Sequence, residues 1–320
     1  MMKNRKLWLN LLRIALSVLA LALLFQKVGG REVWNTLAAA DGRLLALAWA
    51  LGIVGLVVRT FRWRALLAGL GLAPPFGRLL KLYFVGAFFN IFLLSGFGGD
   101  VVRVIELAQD EQRAAAFGTV LVDRMTGILS LFLMGLCVLP FTRELAPWLV
   151  WTFALISVGG LAGGFLLLEG NLLRRLTERL PTPLSLAGQG PLAQLYAAVS
   201  GAGWRAVGMA LLLSTVFNLT NVAQYWLCGL AVGLELDFTF YFIAVPLLAL
   251  TLLVPISVGG LGARDWVAQP LFASVGAADA LTAGMSLLVW VATAASGLVG
   301  GLVYLWDGVR GLLMGTRRPS

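Results

Sequence analysis

Leu94-Ser95-Gly96-Phe97-Gly98-Gly99-Asp100-Val101-Val102-Arg103-Val104-Ile105-Glu106 is the stretch on which the fold turns. A long apolar run reaches Ser95 and stops in small residues, and Asp100 and Arg103 follow within one helical turn. A related string recurs at Pro255-Ile256-Ser257-Val258-Gly259-Gly260-Leu261-Gly262-Ala263-Arg264-Asp265. Aligning Gly98-Gly99 with Gly259-Gly260 also aligns Arg103 with Arg264. A helix that breaks on Gly-Gly and restarts presents free N–H groups and a partial positive charge, which suits an anion. Glycine permits both the turn and close backbone approach. An arginine one turn into the new helix can grip a phosphate bidentately. The candidate binding residues are therefore Ser95, Gly98, Gly99, Asp100 and Arg103, with Ser257, Gly259, Gly260, Arg264 and Asp265. Each aspartate is placed to pair with its arginine when no ligand is present. A plainer alternative is that each Arg–Asp pair only pins its broken helix.

Composition sets the medium. Of 320 residues, 60% are hydrophobic and 12% charged, and mean hydropathy is +0.91. Soluble domains carry about 25% charged residues. The apolar runs are near 20 residues long, enough to cross about 30 Å of hydrocarbon, and they lack the alternation of barrel strands. The expected fold is all-α, a polytopic membrane helix bundle. Net charge is +9, but the basic residues crowd helix ends, where they set topology and meet anionic lipid. No extended basic groove for nucleic acid is readable. The chain has no histidine, which excludes catalytic, zinc-ligating and haem-ligating histidine. Cys137 and Cys228 fall in apolar spans and read as small buried hydrophobes. No metal site or cofactor is expected, and no enzyme activity.

About eight transmembrane helices are predicted, near residues 7–28, 43–58, 79–94, 116–139, 148–168, 204–230, 238–254 and 280–306. The first reads as a retained signal-anchor. Two re-entrant segments, 95–113 and 255–276, complete a single integral membrane domain. Residues 169–203 are its polar linker, with a basic amphipathic helix over 172–180. One offset of about 161 residues relates the spans, which gives a first pseudo-repeat over 7–140 and a second over 148–168 and 204–306. The Arg59-Thr60-Phe61-Arg62-Trp63-Arg64 run reads as a cytoplasmic basic loop, and both termini as cytoplasmic, in a cell membrane. Charge-derived topology makes the two broken segments dip in from opposite faces. That is the inverted repeat of many transporters, with a site near the midplane.

Asp123-Arg124 is a second charge pair within or beside the membrane, and with Arg59 and Arg62 is assigned a gating or structural role. Asn90, Asn218 and Asn221 read as helix-joining hydrogen-bonding residues. Small residues four apart, at 159–164 and 297–301, read as close-packing faces, with a homodimer as the sharper alternative. Trp148, Trp151 and Trp204 read as interfacial anchors.

Three stretches resemble the lysylphosphatidylglycerol synthase transmembrane-region family, flippase-like membrane proteins of the UPF0104 type. They are Arg59 through Arg64, similar to the family's basic end of an early helix; Asn90 through Arg103; and Pro255 through Asp265. Leu94 stands where the family usually has proline, and Asp265 where it usually has glutamate. The resemblance implies a membrane region that moves a charged phospholipid between leaflets, without the soluble domain that performs lysyl transfer. Some relatives work beside glycosyltransferases on polyprenyl carriers. The expected function is thus a lipid flippase acting on an anionic or zwitterionic headgroup. Its expected partners are that lipid, anionic lipid at the cytoplasmic basic loops, and a lipid-modifying enzyme. Two other readings stay open: a membrane enzyme or subunit of lipid-linked sugar transfer, and a lipid-binding regulator without transport.

Overall fold

The computed structural model describes residues 26, 29–92, 98–107, 113–142, 145–169, 175, 177, 201, 203–251 and 262–313. Ser95, Ser257, Gly259 and Gly260, the predicted first span apart from residue 26, and most of the 169–203 linker lie outside the described residues. The described chain is helical, with one 3₁₀ turn at Leu139–Phe141. In order the helices are α1 (Gly30–Ala38), α2 (Gly42–Gly69), α3 (Phe76–Phe92), α4 (Gly98–Leu107) and α5 (Arg113–Val138). They continue with α6 (Pro147–Glu169), α7 (Gly203–Ala231), α8 (Phe238–Thr251), α9 (Ala263–Ala273) and α10 (Asp279–Leu313). Among the described residues, α2, α5, α6, α7 and α10 are long and apolar enough to cross a membrane. The chain is a multi-pass helical membrane protein.

Local chemistry sets several helix starts. The Asp41 carboxylate accepts from the Arg43 amide at 2.7 Å and caps α2, as expected for an N-cap aspartate. Asp237 accepts from both the amide and the hydroxyl of Thr239 ahead of α8. Those hydrogen bonds hold its carboxyl below the usual range. Gly262, with φ +82°, turns the chain into α9. An L side chain there would be strained.

α2 and α7 form the most extensive helix contact, and they run antiparallel. The amide of Asp41, just before α2, donates to the carbonyl of Ala231, the last residue of α7, at 2.8 Å. Gly52 lies against Gln224 and Gly55 against Thr220 and Phe217. Arg62 bonds to Ser214. Position therefore falls along α7 as it rises along α2.

Each long helix is followed by a hairpin. α4 folds back along α3: the Arg78 guanidinium donates to the Glu106 carbonyl, and Gly99 donates to Asn90. α9 folds back along α8, where Phe240 and Tyr241 meet Phe272. Ten and eleven residues of helix rise about 15 Å, half the hydrocarbon thickness. Because α2 and α7 are antiparallel, the two hairpins leave from opposite ends of that pair.

The packing is repeated. The contacts α2/α3, α3/α4, α4/α5, α2/α5, α3/α10 and α2/α10 have counterparts in α7/α8, α8/α9, α9/α10, α7/α10, α8/α5 and α7/α5. Gly42 and Gly203, 161 residues apart, open the paired long helices.

The hairpin helices are amphipathic in the reverse sense. On α4, Asp100, Arg103 and Leu107 are buried while Val101 and Ile105 are exposed. On α9, Arg264, Asp265 and Gln269 are buried while Trp266 and Val267 are exposed. Charge faces inward and apolar surface faces outward, which suits helices whose surroundings are hydrocarbon.

Two expectations need correction. The 59–64 run is not a loop: α2 continues to Gly69, and Arg62 and Trp63 are buried. Counting charges assigns such a run to water, but here carboxylates and rings from distant helices receive it. Gly159, Gly160 and Gly163 pack on nothing within 4 Å, whereas Gly164 meets Leu129 and Gly300 meets the Phe84 carbonyl. Small residues thus mark close packing at some of those positions only.

The α3–α4 hairpin depends on glycine at its crossing. A methyl on Gly99 would overlap the Gly86 backbone carbonyl, and backbone cannot rotate away. Gly99→Ala is expected to cost about 1–3 kcal/mol, as overpacking does. Gly159→Ala should be nearly neutral. Thermal unfolding of both variants in detergent checks this; equal melting temperatures would contradict the crossing.

Candidate functional site: a buried arginine–aspartate cluster

Helical spacing puts Arg59, Arg62, Trp63 and Leu66 on one stripe of α2. α5 brings Asp123 to that stripe, and α4 brings Asp100 and Arg103. Asp123 is fully buried. One of its carboxylate oxygens accepts from Arg62 Nε at 2.6 Å. The other accepts from the Tyr83 hydroxyl at 2.6 Å and from Arg103 Nη2 at 3.2 Å. Arg103 Nη1 donates to Asp100 Oδ1 at 3.0 Å. The second oxygen of Asp100 accepts from Arg124 Nε. Arginine and aspartate thus alternate: Arg62, Asp123, Arg103, Asp100, Arg124.

Rings and hydroxyls close the sides. The Arg103 guanidinium lies 3.9 Å from the Tyr83 centroid and 4.2 Å from that of Trp63. The Trp63 indole donates to Thr119, and Arg62 Nη1 donates to Ser214 on α7 at 3.0 Å. Arg59 stands 5.2 Å from both the Tyr83 and the Phe217 ring centroids. Cation–π contacts of this kind strengthen when desolvated. The cluster therefore ties α2, α3, α4, α5 and α7 together.

The second hairpin builds a smaller centre. Arg264 Nε donates to the Ser286 hydroxyl at 3.1 Å and Nη2 to the Ser286 carbonyl at 2.6 Å. Arg264 Nη1 reaches the Tyr225 hydroxyl at 3.4 Å. The Ser286 hydroxyl in turn donates to Asp265. Asp265 also accepts from the Gly262 amide at 2.9 Å. In both halves an arginine of the returning helix lies on an aromatic of the long helix, Trp63 in one and Tyr225 in the other.

Two sequence-based pairings change. Arg264 and Asp265 are not ion-paired; Ser286 stands between them and Asp265 caps α9. Asp123 and Arg124 do not pair with each other, because successive residues of a helix face different directions. At the α4 start one amide is taken within the protein, since Asn90 accepts from the Gly99 amide at 2.7 Å. Asn218 joins α7 to the Gly127 carbonyl of α5. Gly98 and Gly99 are buried beside α3. Sequence reading missed Tyr83, Trp63, Tyr225 and Ser286. Only a buried hydroxyl or indole needing a partner could have flagged them, and no local pattern announces that partner.

The two arginines sit at different levels. Arg103 lies on Trp63, while Tyr225 is opposite the region of Gly52 on α2. About eleven residues of helix separate these levels, roughly 16 Å. They form two centres, one toward each end of the α2–α7 pair. Among the described residues, no group of acidic, cysteine or histidine side chains could hold a metal ion.

Asp123 is the keystone. Asp123→Ala would leave Arg62 and Arg103 buried without their shared carboxylate, which costs about 3–5 kcal/mol in comparable buried pairs. Arg62→Met combined with Asp123→Leu should recover part of that loss. Melting temperatures of the single and double variants test this. A single variant as stable as the wild type would contradict the keystone role.

Residues 10–301 match the family model described as "Lysylphosphatidylglycerol synthase TM region". A UPF0104 membrane protein of Methanothermobacter thermautotrophicus is 24% identical over 294 residues, covering 82% of this chain and 84% of that protein. With the match spanning nearly its full length, the chain belongs to the lysylphosphatidylglycerol synthase transmembrane-region family.

Proposed function

We propose that the protein moves a phospholipid with an anionic or zwitterionic headgroup between the two leaflets of a cell membrane. The observation that carries this reading is the pair of reverse-amphipathic hairpins. They bring arginine-bearing centres into the membrane from opposite ends of one antiparallel helix pair. Arginine at membrane depth costs about 2.5–3.5 kcal/mol on insertion scales. An anionic headgroup gives that cost a purpose, and two centres at two levels suit a group that crosses in stages. The family's description, the transmembrane region of a lysylphosphatidylglycerol synthase, supports a lipid as the substrate.

Sugar transfer is less well supported. Asp100 and Asp123 already accept from guanidinium groups, and Asp265 from a serine and a backbone amide. Each of these carboxylates is thus engaged by donors of the protein itself. Under this reading both termini are cytoplasmic, and a lipid-modifying enzyme supplies or consumes the lipid.

The reading is tested in proteoliposomes carrying a fluorescent phosphatidylglycerol, with a membrane-impermeant quencher reporting leaflet exchange. Wild-type protein should exchange the label. Arg103→Gln should slow exchange at least about tenfold, the loss of one charge-assisted hydrogen bond or more. Wild-type protein that exchanges no more label than empty liposomes would overturn the reading.

A further inference from the structure

Arg59 differs from the other arginines of the first centre. Arg62 and Arg103 each bond to carboxylate oxygens, and Arg124 bonds to Asp100. The contacts of Arg59 are two aromatic rings, Tyr83 and Phe217, each at 5.2 Å. Its Nε is buried with no hydrogen-bond partner. Its two Nη atoms are neither among the buried unpartnered atoms nor hydrogen-bonded, so they face accessible space. The rings thus hold the flat guanidinium from the sides and leave its Nη edge open.

Charge around this edge is unbalanced. Among the described residues, Arg62, Arg103 and Arg124 share Asp100 and Asp123 through ion pairs, whereas Arg59 beside them forms none. A guanidinium set between apolar walls needs an anion, since a desolvated charge without a partner is costly. Its planar fork fits the two oxygens of a phosphodiester. The neighbouring Arg62 and Arg103 would repel an ammonium carried on the same headgroup. A net-anionic headgroup therefore fits better than a zwitterionic one.

We propose that Arg59 holds the phosphodiester of a net-anionic phospholipid and sets the lipid selectivity of the first centre. This rests on the transport reading above for the lipid as visitor, and narrows it. Within the first centre Arg103 then positions α4, and Arg59 meets the ligand.

The test uses the full chain in nanodiscs with equal phosphatidylglycerol and phosphatidylcholine, and counts retained lipids by native mass spectrometry. Wild type should retain phosphatidylglycerol preferentially. Arg59→Gln should cut that preference at least about tenfold, and Arg59→Lys about threefold, because lysine keeps the charge but loses the fork. An unchanged preference in a folded Arg59→Gln protein overturns the proposal. So does a lowered melting temperature with the preference intact, which would mark a purely structural ring contact. If Arg59→Gln does not fold, Arg59→Lys decides, and an unchanged preference there overturns it. Inorganic phosphate that displaces phosphatidylglycerol at equal concentration, through the same Arg59, would overturn the lipid as ligand. The two readings fail separately. Arg59-dependent retention without leaflet exchange refutes transport alone; exchange with Arg59-independent retention refutes this inference alone.

Discussion

Burial of one carboxylate, Asp123, organises the first half of the molecule. It receives Arg62, Arg103 and Tyr83 at once, and those three side chains come from α2, α4 and α3. A carboxylate removed from water is tolerated only when its oxygens are saturated with donors. Saturation here requires that the returning helix α4 lie against α3 and α5 and send Arg103 across to Trp63 of α2. The glycine crossing at Gly86 and Gly99 makes that approach sterically feasible. Electrostatics and backbone proximity thus demand the same position of the hairpin.

The two halves share a framework and differ in charge. Every helix contact named in the first half has its counterpart in the second, and in both an arginine rests on an aromatic of the long helix. The first centre adds Arg59, Arg62, Arg124 and Asp123 to that plan. The second has Arg264 and Asp265 bridged by Ser286. A symmetric scaffold with unequal centres would bind one ligand with unequal strength at its two ends.

Much of the fold was legible from sequence because the membrane simplifies the rules. Apolar length located α5, α6, α7 and α10 to within a few residues, apart from the far end of α10, because hydrocarbon thickness sets helix length. The Gly-Gly-x₃-Arg spacing located both returning helices, since a helix broken at that depth needs glycine for the turn and a purpose for the arginine. The end of α2 was misread for an instructive reason. Arg59 and Arg62 resemble part of a solvated loop unless their partners, about 25 to 160 residues distant, are known. The Arg264–Asp265 pairing failed similarly, because Ser286 satisfied both residues at once. Adjacency in sequence suggested a pair that tertiary packing divided.

The central claim is that the two hairpins enter from opposite faces of one membrane. Single cysteines at Ala73, in the turn before α3, and at Glu235, in the turn before α8, read this directly once Cys137 and Cys228 are replaced. Both turn residues are exposed. An impermeant maleimide applied to sealed vesicles of one orientation should label one position and spare the other, and vesicles of the opposite orientation should reverse the pattern. Labelling of both positions from the same side would contradict the account.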